Sequence, residues 1–499
     1  MNVADCLDRH AAGSPAKIAV TDGDRTVTYA ALLTASNRLI DALTQLGVRR
    51  HDRVGLALDN SLEFVIGHFA VQRMGATVVG INKRHDESTI DYVLKSGQVR
   101  ALLADPDFLD KIDHLWWDLP QLEWIITTGD RDVYGTYNLG RLLAASTAAD
   151  GLVDCRDDDL ASLFFTAGTT GRPKGVPISH RVRAEIATSL ARAYRVTPED
   201  RALAALPMFH TFGCYIGMFL PLYQGGAISV LREWAPKTAL AKIASERVTF
   251  LAGVPTLFIQ ILNCPDLLRY DLTSLRTCVV GGAPVPANLI REFEERVAAV
   301  VINTYGMTGS MLTAHPYDGP RKYSSIGLPL PVAGLEVRVV DEANRVLPAG
   351  EVGEIVFRGP TMSPGFWKLP ALTARHYRDG WSHSGDLGKF DEEGFLYLVD
   401  RKDDLIITSG FKVYPTETED VLYSHSAVKE CLVIGVPHPV KGQVPRAMIV
   451  LKKGAQASAS ELIEHCRGRL AHYKAPAEVE FVSELPKSDT GKILRRSAR

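Results

Sequence analysis

Apolar residues recur along this chain with two alternating periods, which predicts strands and helices that follow one another. Between residues 28 and 81 the pattern gives an amphipathic helix to about Gly47, a short buried strand over 54–58, a helix over 62–74 and a strand over 77–81. The same rhythm returns between residues 203 and 280. A repeated β-α-β order predicts parallel sheets with helices on their faces.

The pattern changes near residue 334. From there to about residue 400, short alternating strands are joined by Gly, Pro and Asp turns, and beyond Arg401 a small α+β unit follows. The sequence therefore predicts an α/β protein. Its large N-terminal domain, residues 1–400, would contain parallel-sheet subdomains and a small β subdomain, and residues 404–499 would form a separate C-terminal domain.

The amino-acid composition argues against nucleic-acid and membrane partners and indicates the cellular compartment. Lys plus Arg (56) nearly balance Asp plus Glu (58), so no global field favours nucleic acid or an anionic membrane. The seven cysteines are scattered without a Cys-x-x-Cys pair, which indicates free thiols in a reducing compartment. The longest apolar stretch, near residues 213–223, is too short to span a bilayer. We therefore expect a cytoplasmic protein without an integral membrane segment.

A loop rich in Gly, Thr and Lys follows an apolar run at residues 163–165. Its glycines allow tight turns, its hydroxyls donate hydrogen bonds, and its lysine adds charge, so the loop suits an oligophosphate. The lysine follows a proline, and a helix is expected only after Ser179, which differs from the nucleotide loop that runs directly into a helix. The candidate ligands are Thr166, Gly168, Thr169, Thr170, Gly171 and Lys174.

This loop resembles the phosphate-binding segment of the adenylate-forming enzymes, which include acyl-CoA synthetases, peptide-synthetase adenylation domains and firefly-type luciferases. The resemblance extends over nearly the whole chain, although the usual serine is Ala167 here. It implies ATP-dependent activation of a small carboxylic acid as acyl-AMP, with pyrophosphate release, followed by thioester formation with coenzyme A. The implied cofactors are ATP, Mg²⁺ and coenzyme A, or the pantetheine of a carrier protein.

Later segments supply the nucleotide site that the resemblance implies. Residues 281–284 follow a predicted strand, and the resemblance places Gly282, Ala283 and Pro284 against adenine. In residues 303–308, Tyr305 would stack on adenine and Thr308 would meet the α-phosphate. The ribose hydroxyls would bind Asp386, since a carboxylate accepts several hydrogen bonds, and Arg401.

The resemblance also implies a mobile C-terminal domain. Residues 401–403 would form its hinge, with Asp403 at the point of rotation. Residues 486–492 match the loop that delivers a lysine, here Lys492, to the α-phosphate during adenylation. Lys412 would lie near pantetheine after rotation.

The acid itself is expected beside residues 207–213, with His210 near the carboxylate. A mainly apolar or aromatic pocket would be shaped by Phe209, Phe212, Cys214, Tyr215, Val254 and Met307. No arginine occurs in these stretches, which argues against a dicarboxylic substrate.

One position departs from the family pattern. The glutamate that normally binds Mg²⁺ after the threonine is replaced by Gly309, so the metal ligand is unknown. This keeps alternatives open: a carrier-protein acyl ligase, a nitrite-activating diazotase acting on an arylamine, or a non-catalytic nucleotide or acyl binder. The retained Lys174, Thr308, Asp386, Arg401 and Lys492 argue against a mere binder.

Overall fold

Two large, mostly parallel sheets dominate the molecule, followed by two smaller sheets. The structure is a computed structural model that describes residues 1–168, 171–488, 491 and 493–498. The fold class expected from the sequence is confirmed, since α/β sheets precede a small β subdomain and a C-terminal α+β unit.

The helices begin where the sequence offers caps. Ser179 accepts a hydrogen bond from the Val182 N–H at the start of one helix, and Ser458 forms a capping box with Glu461 at another. In chain order the α-helices are α1 Cys6–Gly13, α2 Tyr29–Gln45, α3 Leu62–Arg73, α4 Glu87–Gly97, α5 Pro106–Ile112, α6 Leu139–Ala145, α7 His180–Tyr194, α8 Leu220–Tyr223, α9 Pro236–Ser245, α10 Pro255–Leu262, α11 Ala287–Val297, α12 Pro370–His376, α13 Pro415–Tyr423 and α14 Ala459–Arg467. A π-helix, Gly213–Phe219, runs directly into α8.

The strands are short. In chain order they are β1 Ile18–Asp22, β2 Arg25–Thr28, β3 Arg53–Ala57, β4 Thr77–Gly80, β5 Val99–Ala104, β6 Trp124–Thr127, β7 Tyr137–Asn138, β8 Leu160–Gly168, β9 Gly171–Ser179, β10 Arg201–Ala204, β11 Ala227–Val230, β12 Phe250–Gly253, β13 Thr277–Gly281, β14 Val300–Met307, β15 Ser310–Ala314, β16 Leu328–Pro329, β17 Glu336–Val340, β18 Gly353–Arg358, β19 Tyr377–Arg378, β20 Trp381–Phe390, β21 Leu396–Arg401, β22 Ile406–Thr408, β23 Phe411–Val413, β24 Val428–His438, β25 Gly442–Leu451 and β26 Glu478–Phe481.

The seven-stranded sheet has the order β7-β6-β5-β3-β4-β8-β9, and all its neighbours are parallel except the β8–β9 hairpin. The nine-stranded sheet has the order β16-β15-β14-β13-β12-β10-β11-β1-β2, parallel from β14 to β1. Strands such as β4 and β12 are buried at every position, because elements pack on both faces of a parallel sheet.

Two antiparallel sheets complete the fold. One is built on β17-β18-β20, with β19 and β21 both paired to β20, and the other has the order β23-β22-β25-β24, with β26 parallel to β25. The strands β24 and β25 form a long antiparallel hairpin, because polar residues within it interrupt the apolar pattern without ending the pairing. Of the helices in the described ranges, none combines the length and apolar character needed to cross a membrane.

Candidate functional site

A cavity of about 790 Å³ lies at the carboxyl ends of several parallel strands. Its walls come from the ends of β8 and β14, the turn after β13, the small sheet, α13 and the C-terminal segment. Open α/β sheets place their ligand sites at this edge because the connecting loops diverge there. The cavity is therefore the candidate site, and it brings together residues that are far apart in the sequence.

At one end of the cavity, Asp386 joins two of the predicted nucleotide residues. The Tyr305 hydroxyl donates to Asp386 Oδ2 at 2.7 Å, and Arg401 Nε donates to Oδ1 at 2.9 Å. Burial, and then the charge of Asp386, raises the pKa of Tyr305 well above 10, so the hydroxyl stays a donor. Burial lowers the pKa of Arg401, but the Asp386 charge and hydrogen bond outweigh it. The Asp386 carboxylate is thus held by two fixed hydrogen-bond partners.

The strand segment around Asp386 is held by Glu354, which the sequence interpretation missed. Glu354 on β18 accepts a hydrogen bond from the Gly385 N–H at 3.2 Å, and its other oxygen lies 3.4 Å from both His383 Nδ1 and Lys402 Nζ. Burial raises the pKa of Glu354, yet the neighbouring cations hold it below its ordinary value. No motif in the sequence marks Glu354. Its role follows from the pairing of β18 with β20, in which Glu354 lies directly opposite Leu387.

The residues predicted against adenine also line the cavity. Gly282, Ala283 and Pro284 follow β13 directly. The preceding Gly281 is required by close packing, because a Cβ there would lie 2.7 Å from the Thr304 carbonyl oxygen on β14. Two adjacent strands thus bring this turn and Tyr305 to the same wall.

The phosphate-loop candidates sit at the tip of the β8–β9 hairpin. Thr166 pairs with Lys174 and Gly168 with Gly171 in the strand register, and both Thr166 and Lys174 line the cavity. The Lys174 ammonium lies 5.7 Å from the centre of the Phe366 ring. Thr169 and Thr170 lie outside the described residues. The strand continues to Ser179 before α7 begins, which confirms that the loop does not open a helix.

Thr308 and Gly309 form the two-residue turn between β14 and β15, and both line the cavity. Gly309 has φ +77°, and a Cβ there would lie 2.8 Å from Val176 Cγ1 and 3.1 Å from Ser363 Cβ. A glutamate would be strained at this position. Among the described residues no group of three His, Cys, Asp or Glu side chains is placed to hold a metal. The described residues therefore do not fit a protein-bound Mg²⁺ at this turn.

The end of the cavity where the acid is expected is mainly apolar. Of the predicted pocket residues, the structure brings together Phe209, His210, Phe212, Tyr215, Val254 and Met307. They converge because the segment after β10 folds tightly: a Cβ on Gly213 would lie 2.2 Å from the Pro207 carbonyl oxygen, and the Cys214 N–H donates to the His210 carbonyl at 2.8 Å. Isoleucines complete this wall, namely Ile81, Ile90, Ile186, Ile216 and Ile259.

Cys214 does not line the cavity, which corrects its expected place in the pocket. Its side chain is fully buried, and its sulfur lies 3.7 Å from His68 Nδ1, behind the wall. The two-residue step from Phe212 does not return to the same face, because the chain enters the π-helix at Gly213. On the far side of Cys214 lies Arg183, a buried residue of α7 that the sequence interpretation also missed.

Of the candidate residues near and beyond the predicted hinge, the structure does not place all at the cavity. Lys492 lies outside the described residues, but its neighbour Gly491 lines the cavity and accepts a hydrogen bond from Thr256 Oγ1 at 2.8 Å. Lys412 is exposed on β23 and is not a cavity residue. Asp403 lies in the 3-10 turn Lys402–Asp404, between β21 and β22.

A cluster of buried polar side chains joins the end of β21 to the C-terminal segment, and no sequence motif indicated this cluster. Asp400 accepts the Thr416 N–H at 2.9 Å, and burial raises the pKa of Asp400 to about 6. Arg495 pairs with both oxygens of Glu419, at 2.5 and 3.0 Å, and lies 3.5 Å from Asp404. These contacts fix the segment that follows Lys492 against α13.

Comparisons with known proteins agree with this geometry. Residues 7–367 match the family model "AMP-binding enzyme", and residues 417–492 match "AMP-binding enzyme C-terminal domain". The chain is 34% identical to a feruloyl-CoA synthase of an Amycolatopsis species, covering 98% of this chain and 97% of the relative. It is 32% identical to a long-chain-fatty-acid–CoA ligase of Bacillus subtilis, covering 98% and 92%.

Among solved structures, the anthranilate CoA ligase AuaEII in complex with anthranoyl-AMP is similar over 100% of this chain and 97% of the other. The TM-score is 0.95 at 30% sequence identity. Coenzyme A ligases among the relatives favour coenzyme A over the alternative acceptors. The chain therefore belongs to the AMP-binding enzyme family, as an AMP-forming acid:thiol ligase that activates a carboxylic acid with ATP and passes the acyl group to coenzyme A.

Proposed function

We propose that one cavity serves both half-reactions, with the nucleotide at its Asp386 end and the acid at its apolar end. The observation that carries this proposal is the convergence of the Tyr305–Asp386–Arg401 group, the β8–β9 hairpin and the apolar wall on a single cavity. Asp386 and Arg401 would bind the ribose, and Tyr305 with the turn at Gly282, Ala283 and Pro284 would hold adenine.

In the first half-reaction a carboxylate oxygen of the acid attacks the α-phosphorus of ATP. A carboxyl oxygen–phosphorus bond forms, the bond from the α-phosphorus to the bridging oxygen breaks, and pyrophosphate leaves. Fixed donors aimed at oxygens that gain charge lower such a barrier. We assign this role to Thr308 and Lys492 at the α-phosphate, and to Lys174 with Thr166 and the rest of the hairpin at the leaving phosphates. His210 would orient the acid carboxylate.

In the second half-reaction the thiolate of coenzyme A attacks the acyl carbon, the thioester bond forms and AMP leaves. We propose that residues 404–499 turn about a hinge at residues 401–403, with Asp403 at its centre, relative to residues 1–400. Lys412 is exposed on β23 and does not line the cavity, so its proposed place near pantetheine requires such a rotation. A carrier-protein pantetheine would follow the same chemistry.

In this proposal no protein side chain binds Mg²⁺. The Gly309 turn leaves no room for the expected carboxylate, so the phosphates of ATP and water would have to supply the ligands of any Mg²⁺. The hairpin lysine and Lys492 then neutralise more of the phosphate charge themselves.

The acid is proposed to have an apolar body. Phe209, Phe212 and Val254 line the acyl end, and a cavity with few polar groups selects mainly by shape. Relatives are named for feruloyl, long-chain fatty acyl and anthranoyl substrates, whose bodies are aromatic or aliphatic.

We place this reaction in the cytoplasm. All seven cysteines are free thiols in the structure, as reducing compartments keep them. The near-neutral net charge of −2 gives no reason to expect a nucleic-acid partner.

Pyrophosphate exchange across a panel of carboxylic acids tests the proposal. We expect acid-dependent exchange, loss of at least about a hundredfold in Lys492→Ala, and retained thioester formation when the variant receives preformed acyl-AMP and coenzyme A. The exposed Lys453→Ala is the matched control in the same region. Binding of ATP without exchange for any acid would contradict the proposed function.

A further inference from the structure

Arg183 on α7 is a fully buried guanidinium without a counter-ion. Its relative exposure is 1%, and it forms no ion pair with a carboxylate in the part of the chain that the structure describes. Nη2 lies 3.0 Å from His68 Nε2 and 3.9 Å from the Cys214 sulfur. Nε and Nη1 have no hydrogen-bond partner among the described residues. Guanidinium groups stay protonated in proteins, so a full positive charge is buried here.

The side chains around Arg183 are neutral. Its guanidinium carbon lies 3.9 Å from the ring centres of both Tyr215 and Phe219, which attract the cation but carry no charge. Burial, and then the charge of Arg183, holds the pKa of His68 well below 6.5 and lowers that of His180 to about 4. The surroundings therefore solvate the cation only in part, and a buried charge left unpaired is costly.

This unpaired charge lies directly behind the acyl wall of the cavity. Tyr215, whose ring covers the guanidinium, is a cavity residue, and so is Ile186, three residues after Arg183 and hence on the same side of α7. The Tyr215 hydroxyl is buried as well, with Ser162 on β8 as its neighbour. The unused Nε and Nη1 donors of Arg183 thus lie behind Tyr215, at the end of the pocket where the body of the acid would lie.

We infer that Arg183 and the Tyr215 hydroxyl form an anion-selecting end of the acyl pocket, and that the acid activated here carries a second carboxylate remote from the reacting one. The inference rests on the proposed acid activation. Both donors are covered in the structure, so the second carboxylate reaches them when the Tyr215 side chain turns toward the cavity. The planar guanidinium fork matches a carboxylate in shape and charge.

The absence of an arginine from residues 207–215 argued against a dicarboxylic substrate. Arg183 lies instead on α7, where Val182, Ile186 and Leu190 predict a buried helix face.

Matched acid pairs test the inference: benzoic and terephthalic acid, cinnamic and 4-carboxycinnamic acid, and hexanoic and adipic acid, each diacid also as its monomethyl ester. The wild-type kcat/KM should favour at least one diacid over its monoacid and its ester by about tenfold or more. Arg183→Met should abolish that preference while leaving the monoacid rate within about twofold. Arg192→Met, an exposed arginine on the same helix, should change neither.

Tyr215→Phe and Arg183→Lys provide second variants if Arg183→Met does not fold. Loss of the hydroxyl should reduce the diacid preference, whereas the lysine should retain part of it. The inference is overturned if every monoacid is used as well as its diacid, or if the Arg183 variants shift stability and leave the ratio unchanged. In both cases acid-dependent exchange persists, so the proposed function stands; absence of exchange with all the acids would contradict the proposed function itself.

Discussion

The Tyr305 hydroxyl donates a hydrogen bond to the Asp386 carboxylate across 2.7 Å. This contact ties β14 of the nine-stranded sheet to β20 of the small antiparallel sheet, so the end of the cavity proposed for the nucleotide is built across two sheets. Arg401 occupies the other carboxylate oxygen. The orientation of Asp386 is therefore set before any ligand arrives, which lowers the ordering cost of binding.

We predict that Asp386→Asn raises the KM for ATP by at least about tenfold, because an amide cannot accept from Tyr305 and Arg401 at once and also bind two hydroxyls. Tyr305→Phe keeps the ring and removes only the donor, so its effect should be several times smaller. The KM for ATP in acid-dependent pyrophosphate exchange measures both. Equal effects of the two variants would contradict the ribose role of Asp386.

Gly309→Ala should lower the free energy of unfolding by about 1–3 kcal/mol, since it places a side chain at φ +77° against Val176. Adding Val176→Ala should relieve the contact and restore part of the loss. Gly309→Glu should not increase adenylation at any Mg²⁺ concentration. Denaturant unfolding and a Mg²⁺ titration of turnover check this; a stable Gly309→Glu variant with faster adenylation would show that the turn accepts the carboxylate.

Asp400→Asn should stabilise the protein in a pH-dependent manner. The folded pKa of about 6 lies above the ordinary 3.8, so the folded state binds the proton more tightly and ionised Asp400 opposes folding. The penalty, up to about 3 kcal/mol, is complete above pH 6 and vanishes below about pH 4. The variant keeps an acceptor for the Thr416 N–H but not for the Arg401 N–H. The free energy of unfolding of the variant should therefore rise relative to that of the wild type between pH 4 and pH 8.

Denaturant unfolding at several pH values measures this difference, with the exposed Glu342→Gln as control. A constant difference across the range would mean that Asp400 does not titrate as the burial implies.

Breaking the buried pair of Arg495 and Glu419 should destabilise the C-terminal region. Both side chains are nearly buried, at 12% and 9% exposure, so Arg495→Met leaves an unpaired carboxylate and should cost about 3–5 kcal/mol. Glu419→Met alone should cost a similar amount, and the double variant should recover much of the loss. A double-mutant cycle from denaturant curves tests the coupling, and additive losses would argue against it.

Local patterns in the sequence were sufficient for the β-α-β order of the two large sheets and for α7. They could not reveal the Tyr305–Asp386 contact, because it depends on how two separate sheets meet. They also misplaced Cys214, since a π-helix changes which side chains share a face. Arg183 was overlooked because an arginine within an apolar helix face is normally expected to extend to solvent, whereas here helix α3 and the π-helix enclose it.

The cavity has a consequence for how such enzymes diversify. The residues of the apolar wall all precede position 312 in the sequence. The segment that carries Lys492 lies near the end of the chain and contacts the cavity through the hydrogen bond between Thr256 and Gly491. In the proposed mechanism, the residues that select the acid and the lysine that acts on the α-phosphate are thus encoded in separate stretches of the gene. Recombination that exchanged the last hundred or so codons with those of a relative would leave the acid repertoire of the parent intact, provided that the Thr256–Gly491 junction is matched.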